Sequence, residues 1–417
     1  MQHITIGSTV AAVGVSLALL VSGCSADQAG PTPTSTTTTV DPSNAAVELT
    51  PEIKSRLQEV LDGIIEEFDV PGIQVGVWSG DQTWIGTAGV AKAGTSQTIS
   101  TADHTRIGSI TKTMTATVIL QLIEQGKVSF DDILDTYVPG MPNGSTATIR
   151  NLLEMQSGIP PYTAEPTVVD KYSADPTQTF TPQELVNAVK SADPVFAPGE
   201  QFQYSNTNYV LLGMIIEKVT GKSITDTFRE RLYRPLKMAA TKIPGTSTAI
   251  PQPYLSGISE QADPIGKVKD ATNWNPSFAF TAGEAISTIE DLHTWGVALA
   301  TGKGILSPDT QQLRLASVNT TVPPNTPERS YGMGIVNTAG WLGHTGEIPG
   351  YNTVLNHDPA TGTTVVVMVN SDIPNGPEEQ PVAPGVSAFQ AIAQVLSPGA
   401  PAAPQSSSAA SSSASSE

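Results

Sequence analysis

The pattern of apolar and polar residues predicts helices and strands at both ends of one globular region. Apolar side chains recur at helical spacing over residues 49–68 and again over 385–396. Short apolar runs bounded by polar turn residues predict two hairpins, with strands at 73–78, 83–90, 352–357 and 363–370. Strands from both ends of the chain can therefore form one sheet that is flanked by the two helices.

Between the two hairpins, the pattern changes to helices joined by loops rich in proline and glycine. Within this stretch, Ser287 and Glu290 have the spacing of a capping box at the start of a helix. We predict an α+β fold in which an antiparallel sheet, flanked by helices, is built from both termini. A mostly helical subdomain is expected as an insertion at about 105–300.

Both ends of the chain differ in composition from the globular domain, which is expected over 48–397. Residues 4–23 are apolar, and small residues precede Cys24, so 1–24 is predicted to be a signal peptide. The stretch 20–24 resembles a bacterial lipobox, in which the cysteine is lipidated, although no Lys or Arg precedes it. An ordinary signal peptide or a spanning anchor with a chance cysteine stays open. A Thr/Pro-rich linker at 25–47 and a disordered Ala/Ser/Pro tail at 398–417 complete the expected organisation.

Charge and residue counts narrow the possible partners. The chain has 21 Lys and Arg against 39 Asp and Glu, a formal net charge of −18, so nucleic acid is not an expected partner. The single cysteine excludes an intramolecular disulfide. The five histidines have no metal-site spacing, and His104, His293 and His357 are expected to be surface or packing residues. No metal or cofactor is therefore expected.

The first candidate site is Ser109-Ile110-Thr111-Lys112, which begins an apolar helix. A serine three residues before a lysine places both side chains on one helical face. A desolvated lysine can accept the serine proton and so make the hydroxyl nucleophilic. A purely capping serine would favour an acidic or amide residue at the third position, and Lys112 is unfavourable at the positive end of the helix dipole.

Two further stretches indicate a catalytic site only in combination with the first. Tyr204-Ser205-Asn206 offers a phenol that can relay a proton and an amide that can hold an acyl group. His344-Thr345-Gly346 offers a hydroxyl and an uncrowded backbone, along which an extended substrate can pair.

In this order, Ser-x-x-Lys, Tyr-x-Asn and His-Thr-Gly resemble the serine β-lactamase and penicillin-binding-protein family. The chain is most similar to the group of class C β-lactamases, D-alanyl-D-alanine carboxypeptidases, D-aminopeptidases and related esterases. Further stretches fit this group, at 106–108, 149–153, 156–160, 196–200 and 281–283. The resemblance implies a β-lactamase/transpeptidase-like fold and acyl transfer.

The resemblance also implies a role for each residue. Ser109 would attack a carbonyl, while Lys112 and Tyr204 share the proton transfers. Asn206 would hold the acyl part of the substrate, and the backbone N–H groups of Ser109 and Glu347 would form the oxyanion hole. The substrate-binding set is expected to comprise Asn206, His344, Thr345, Gly346 and Glu347.

Two positions depart from the pattern of this group. His344 stands where many members have lysine, although some carboxypeptidases and D-aminopeptidases also have histidine there. Glu347 stands where carboxypeptidases have a small hydroxyl residue. An acid at this position should repel a substrate carboxylate, unless a protonated His344 offsets its charge.

Other hydrolase and nucleotide signatures are absent from the sequence. There is no Gly-x-Ser-x-Gly elbow and no His-Glu-x-x-His motif, and Gly221-Lys222-Ser223 lacks the first glycine of a phosphate-binding loop, where Ile216 stands.

The sequence thus predicts an envelope serine hydrolase that acts on amide bonds next to D-amino acids, with a small molecule or a peptidoglycan-type peptide as substrate. An esterase, a weak class C-type β-lactamase and a non-catalytic envelope scaffold remain as alternatives. The expected location is the outer face of the cytoplasmic membrane, through a lipid on Cys24.

Replacing Cys24 with alanine tests the anchor. We expect Cys24→Ala to release the protein from membranes, because one thiol would carry the lipid chains that hold it there. Detergent-phase partitioning of wild-type and variant protein measures this. An unchanged membrane fraction in the variant would mean that the apolar N-terminal stretch itself spans the bilayer.

Overall fold

The computed structural model describes residues 46–262, 266–318, 320, 322–377 and 381–397. The predicted signal peptide, Cys24, nearly all of the linker and the C-terminal tail lie outside these ranges. Among the helices in the described ranges, none combines the length and apolarity needed to cross a membrane.

Helices and strands make up about half of the described chain. The helices are α1 (Pro51–Phe68), α2 (Thr111–Glu124), α3 (Ile149–Leu153), α4 (Pro166–Ala174), α5 (Pro182–Val189), α6 (Asn206–Thr220), α7 (Ile224–Phe228), α8 (Arg234–Leu236), α9 (Ile289–Thr301), α10 (Pro308–Ala316) and α11 (Pro384–Leu396). The strands are β1 (Gly72–Ser79), β2 (Gln82–Gly89), β3 (Thr105–Arg106), β4 (Ile258–Ser259), β5 (Lys269–Asp270), β6 (Ile286–Ser287), β7 (Arg329–Tyr331), β8 (Val336–Thr338), β9 (Trp341–Ile348), β10 (Tyr351–Asp358) and β11 (Thr363–Val369).

Within these residues, the main sheet has seven antiparallel strands in the order β2-β1-β11-β10-β9-β8-β7. The N-terminal hairpin pairs with the C-terminal hairpin through β1 and β11, so the predicted sheet built from both termini is confirmed. The helices α2 to α8 all come from the chain between β2 and β7, as the predicted helical insertion requires. However, α9 lies against β10 and β11 on the sheet, although the predicted insertion at 105–300 included it.

The sheet is buried on both faces, and β11 shows this in its sequence. Its residues Val365, Val367 and Val369 face a core formed with α1 and α11, whereas Val366 and Met368 face the core shared with α9 and the helical region. All five side chains are fully buried. Successive residues of a strand point to opposite faces, so a strand covered on both sides is apolar throughout.

The start of α9 differs from the predicted capping box. Ser287 is not the cap, because it lies in β6 and pairs with Thr105 in β3. The hydroxyl of Thr288 accepts from the backbone nitrogen of Asp291 instead. Strand pairing thus moves the cap one residue along the chain.

Two histidines are packing residues, His293 between α9 and the sheet and His357 within the sheet. The His293 ring stacks on the Trp78 ring, with centroids 4.2 Å apart and planes within 1° of parallel. The His357 Nδ1 lies 2.9 Å from the Thr364 hydroxyl. Burial lowers the pKa of His293 to about 4, with repulsion from His357 as the second cause, and burial also lowers the pKa of His357.

These lowered pKa values predict a loss of stability in acid. Between pH 6.5 and 4 the unfolded chain takes up protons that the folded chain resists, so stability is complete above pH 6.5 and falls below it. His293 keeps partial contact with water, so we expect it to contribute about 1 kcal/mol, discounted for solvent screening. Urea unfolding at pH 7 and pH 4.5 measures the difference.

His293→Phe provides the matched control, because it keeps an aromatic ring on Trp78 but cannot titrate. We expect this variant to lose less stability than the wild type between the two pH values. Equal losses in both proteins would contradict a role for His293.

Candidate active site

Ser109 lies in a single 3-10 turn that leads directly into α2. Gly108 has a φ of +49°, and a Cβ there would lie 2.5 Å from the backbone nitrogen of Glu347. A Cβ at Gly346 would lie 2.0 Å from a backbone carbonyl oxygen just before the turn. Side chains at these two positions would force the backbones apart. The glycines therefore bring the backbones of Ser109 and Glu347 close together, as an oxyanion hole between them would require.

Lys112 lies in the first turn of α2 and is completely buried. Its Nζ donates to the Ser109 Oγ at 2.8 Å and to the carbonyl oxygen of Ala282 at 2.7 Å. It has no salt bridge with any described residue, and desolvation lowers the pKa of its amine well below the usual value. A neutral amine has a free lone pair, so Lys112 can accept the Ser109 proton.

Tyr204 completes this group. The Lys112 Nζ lies 4.8 Å from the centroid of the Tyr204 ring, and the phenol is close enough to interact with the Ser109 hydroxyl. Burial raises the pKa of Tyr204, so its hydroxyl is protonated at neutral pH and can donate a proton. The structure thus brings together these three residues, which were predicted from two separate motifs. Their environments also differ, since Lys112 is suited to accept a proton and Tyr204 to donate one.

Asn206 is the first residue of α6. The preceding residue, Ser205, has extended backbone and provides no side-chain cap. Asn206 is half-buried, and its amide has no hydrogen-bond partner among the described residues. The amide is therefore free to bind a ligand, two residues from Tyr204.

His344 faces the same group from β9. It is buried, its Nε2 lies 3.4 Å from the Tyr331 hydroxyl, and its ring centroid lies 6.3 Å from that of Tyr204. Burial lowers the pKa of His344 to about 3, and repulsion from Lys112 is the second cause. His344 is therefore uncharged at neutral pH and cannot offset the charge of Glu347 there.

The side chains of Thr345 and Glu347 lie together on the side of β9 opposite to His344. Side chains alternate along β9, so these two share a face that His344 does not. This face lines a cleft of about 130 Å³. Its lining also includes Arg329, Asn352, Asp372 and Val386.

Glu347 is exposed on the open side of the cleft but enclosed by protein atoms on its other sides. Desolvation raises the pKa of its carboxyl above the usual range, and repulsion from Asp372 adds to this. Because water reaches the side chain through the cleft, we expect the shift to be smaller than for a fully enclosed carboxyl. Glu347 also raises the pKa of Tyr204, which places its charge near the catalytic group.

Arg329 and Tyr331, both on β7, were not predicted from the sequence. The Tyr331 ring packs edge-to-face against Tyr204 and against His344, with centroids 6.1 and 5.7 Å apart. Arg329 lines the cleft, and its charge lowers the pKa of Tyr204. Neither residue belongs to a recognisable motif. Only the pairing of β7 with β8, and of β8 with β9, brings them to the site.

Comparisons with known proteins agree with this geometry. The beta-lactamase family model matches residues 57–382. A D-stereospecific amidohydrolase from Streptomyces sp. is 32% identical, with a TM-score of 0.72 over 82% of this chain and 98% of that one. The D-amino acid amidase from Ochrobactrum anthropi SV3, solved with D-phenylalanine, is 26% identical, with a TM-score of 0.71 over 83% of this chain and 99% of that one.

A curated relative is the unguisins hydrolase ungD' of Aspergillus campestris (strain IBT 28561), which is 28% identical over 338 residues. The match covers 75% of this chain and 61% of that protein. The chain spans about three fifths of the length of the curated relatives it matches.

Proposed function

Since the chain belongs to the serine β-lactamase and penicillin-binding-protein superfamily of hydrolases, we propose that it cleaves amide bonds next to D-amino acids through an acyl-enzyme on Ser109. The observation that carries the proposal is the 2.8 Å contact between the Ser109 hydroxyl and the buried Lys112 amine. The similarity to a D-stereospecific amidohydrolase and a D-amino acid amidase supports the substrate class. The free amide of Asn206 supports a peptide or amide over a simple ester.

In the proposed acylation, the Ser109 Oγ bonds to the substrate carbonyl carbon while its proton passes to the Lys112 amine. The backbone N–H groups of Ser109 and Glu347 stabilise the oxyanion. Tyr204 then protonates the departing nitrogen as the carbon–nitrogen bond breaks, and the proton on Lys112 replaces the one that Tyr204 has lost. In deacylation, a water oxygen bonds to the ester carbonyl carbon while Lys112 and Tyr204 take its proton. The bond from this carbon to the Ser109 Oγ then breaks, the proton passes to the Oγ, and the acid is released.

We propose further that the protein acts at the cell envelope, on the outer face of the cytoplasmic membrane, held there by a lipid on Cys24. The lipobox-like stretch and the Thr/Pro-rich linker of the sequence support this location. A peptidoglycan-type peptide would be accessible to an enzyme in that position.

Covalent labelling tests the nucleophile. We expect Ser109→Ala to lose all labelling by a fluorophosphonate probe while remaining folded, because the attacking oxygen is gone. Labelling of the variant at the wild-type rate would disprove the assignment. A fluorescent penicillin used in parallel separates the alternatives: a peptidase takes both probes, an esterase chiefly the fluorophosphonate, and a scaffold neither.

The two proton-transfer roles are tested by Lys112→Ala and Tyr204→Phe. Each should slow acylation by roughly 10²–10⁴, the usual contribution of such a group. Stopped-flow acylation by a chromogenic ester measures the rate. In the wild type, the rate should fall as the pH drops through the lowered pKa of Lys112, because the protonated amine cannot accept a proton. Full activity in either variant would show that the replaced residue does not transfer a proton in acylation.

Glu347 tests the kind of leaving group. Its negative charge should disfavour peptides whose departing D-alanine has a free carboxylate, compared with the amidated peptides. We expect Glu347→Ser to raise kcat/KM about 3- to 10-fold for the free acid, with no gain for the amide, since the repulsion is screened by water in the cleft. Glu347→Gln is the control that keeps the size of the side chain. An equal gain on both substrates would show that the charge does not act on the leaving group.

A further inference from the structure

The cleft that Thr345 and Glu347 line contains basic and acidic side chains that do not pair with each other. Arg329 is half-buried, and no described residue forms a salt bridge or hydrogen bond with its guanidinium. Glu347 and Asp372 lie in the same lining. Neither carboxylate comes within salt-bridge distance of Arg329.

The position of Asp372 is held by hydrogen bonds. Its Oδ1 accepts from the backbone nitrogen of Gly350 at 3.0 Å, and its Oδ2 accepts from the Ser259 hydroxyl at 3.0 Å and from the Gln261 amide. Asp372 is also buried, so it has little freedom to turn towards Arg329. The negative wall of the cleft is therefore a fixed feature, to which Glu347 adds an exposed carboxyl.

The basic and the acidic side of the cleft both act on Tyr204. The backbone of Glu347 lies against the nucleophile turn, since a Cβ on Gly108 would be 2.5 Å from its nitrogen. Arg329 is on the same short strand as Tyr331, whose ring packs edge-to-face against Tyr204 at 6.1 Å. In agreement with this placement, Arg329 lowers the pKa of Tyr204 and Glu347 raises it. In the proposed mechanism, Tyr204 protonates the departing nitrogen. This mechanism therefore places the part of the substrate attached to that nitrogen in the cleft, with Arg329 on one side and the two acidic residues on the other.

We propose that the cleft selects a departing residue with a free α-carboxylate and a cationic side chain, which is a basic D-amino acid at the C-terminal side of the cleaved bond. This inference rests on the proposed function. The carboxylate pairs with the guanidinium of Arg329, and the side-chain ammonium pairs with the carboxylates of Glu347 and Asp372. A departing residue with only one of these charges pairs with one wall and meets repulsion from the other. Thr345 and Asn352, in the same lining, offer neutral hydrogen-bonding groups.

Peptides with one acyl half and different departing residues test the proposal. N-acetyl-D-alanine is joined to D-lysine, to Nε-acetyl-D-lysine or to D-lysine amide, and kcat/KM is measured for each. We expect the D-lysine peptide to be cleaved about tenfold better than either of the other two, since each of these lacks one charge. Equal values for all three peptides would overturn the proposal.

Two variants test which charged residues of the cleft cause the preference for the D-lysine peptide. Glu347→Gln should reduce the preference for D-lysine over Nε-acetyl-D-lysine, and Arg329→Gln should reduce the preference for the acid over the amide. Arg329 also acts on Tyr204, so the ratio between substrates is the measurement, and not the absolute rate. Glu59→Gln removes an exposed acid from α1 and should leave both ratios unchanged. Wild-type ratios in both cleft variants would contradict the assignment.

Binding separates this inference from the proposed function. Ser109→Ala is titrated calorimetrically with the same three peptides, which it cannot cleave. We expect Ser109→Ala to bind the D-lysine peptide most tightly, and the added substitution Glu347→Gln to weaken that binding. This result would support the proposed role of the cleft even if the wild type hydrolyses none of the peptides. Absence of hydrolysis would count only against the proposed function. Equal binding of the three peptides would contradict the proposed selectivity of the cleft, whether or not the wild type hydrolyses them.

Discussion

The site depends on burying the Lys112 amine without a carboxylate to pair with it. Removing an ammonium from water costs several kcal/mol, so the enclosed amine favours its neutral form. The segment that provides its second contact is itself held against α2. The Thr115 hydroxyl donates to the carbonyl of Thr281 at 2.8 Å, and the backbone nitrogen of Ala285 donates to the Thr111 hydroxyl at 3.2 Å. The Ala282 carbonyl therefore holds the amine next to Ser109 without supplying a charge that would keep it protonated.

The second requirement is the close approach of the nucleophile turn to β9. The turn belongs to the chain between the two hairpins, whereas β9 belongs to the C-terminal half of the sheet. The two meet through Gly108 and Gly346, where even a methyl group would clash with backbone atoms. The sheet thus provides a fixed edge against which the helical region presents its serine, and the fold matters to the chemistry mainly through this contact.

The electrostatics around Tyr204 follow from three side chains on two strands, β7 and β9. Arg329 on β7 provides the positive charge, Glu347 on β9 provides the negative charge, and the buried His344 provides none at neutral pH. A lysine in place of His344 would put a second cation near Tyr204, in addition to Arg329. In this chain the cation is Arg329 on β7, which β8 separates from β9, and it lines the cleft as well as acting on the phenol. The same arginine can therefore influence the proton transfer and the leaving group.

Much of this protein could be predicted from the sequence because the relevant information is local. The period of apolar residues predicted α1, α11 and both hairpins, since amphipathic spacing reports which face of an element is buried. The pair Ser109 and Lys112 was recognisable because three residues make almost one helical turn, and Tyr204 and His344 followed from the order of motifs. The packing of α9 on the sheet, the cap at Thr288, the uncharged state of His344 and the cleft between Arg329 and Asp372 were decided only by the tertiary structure. Each depends on strand pairing or desolvation between residues distant in the chain, and neither leaves a local pattern in the sequence.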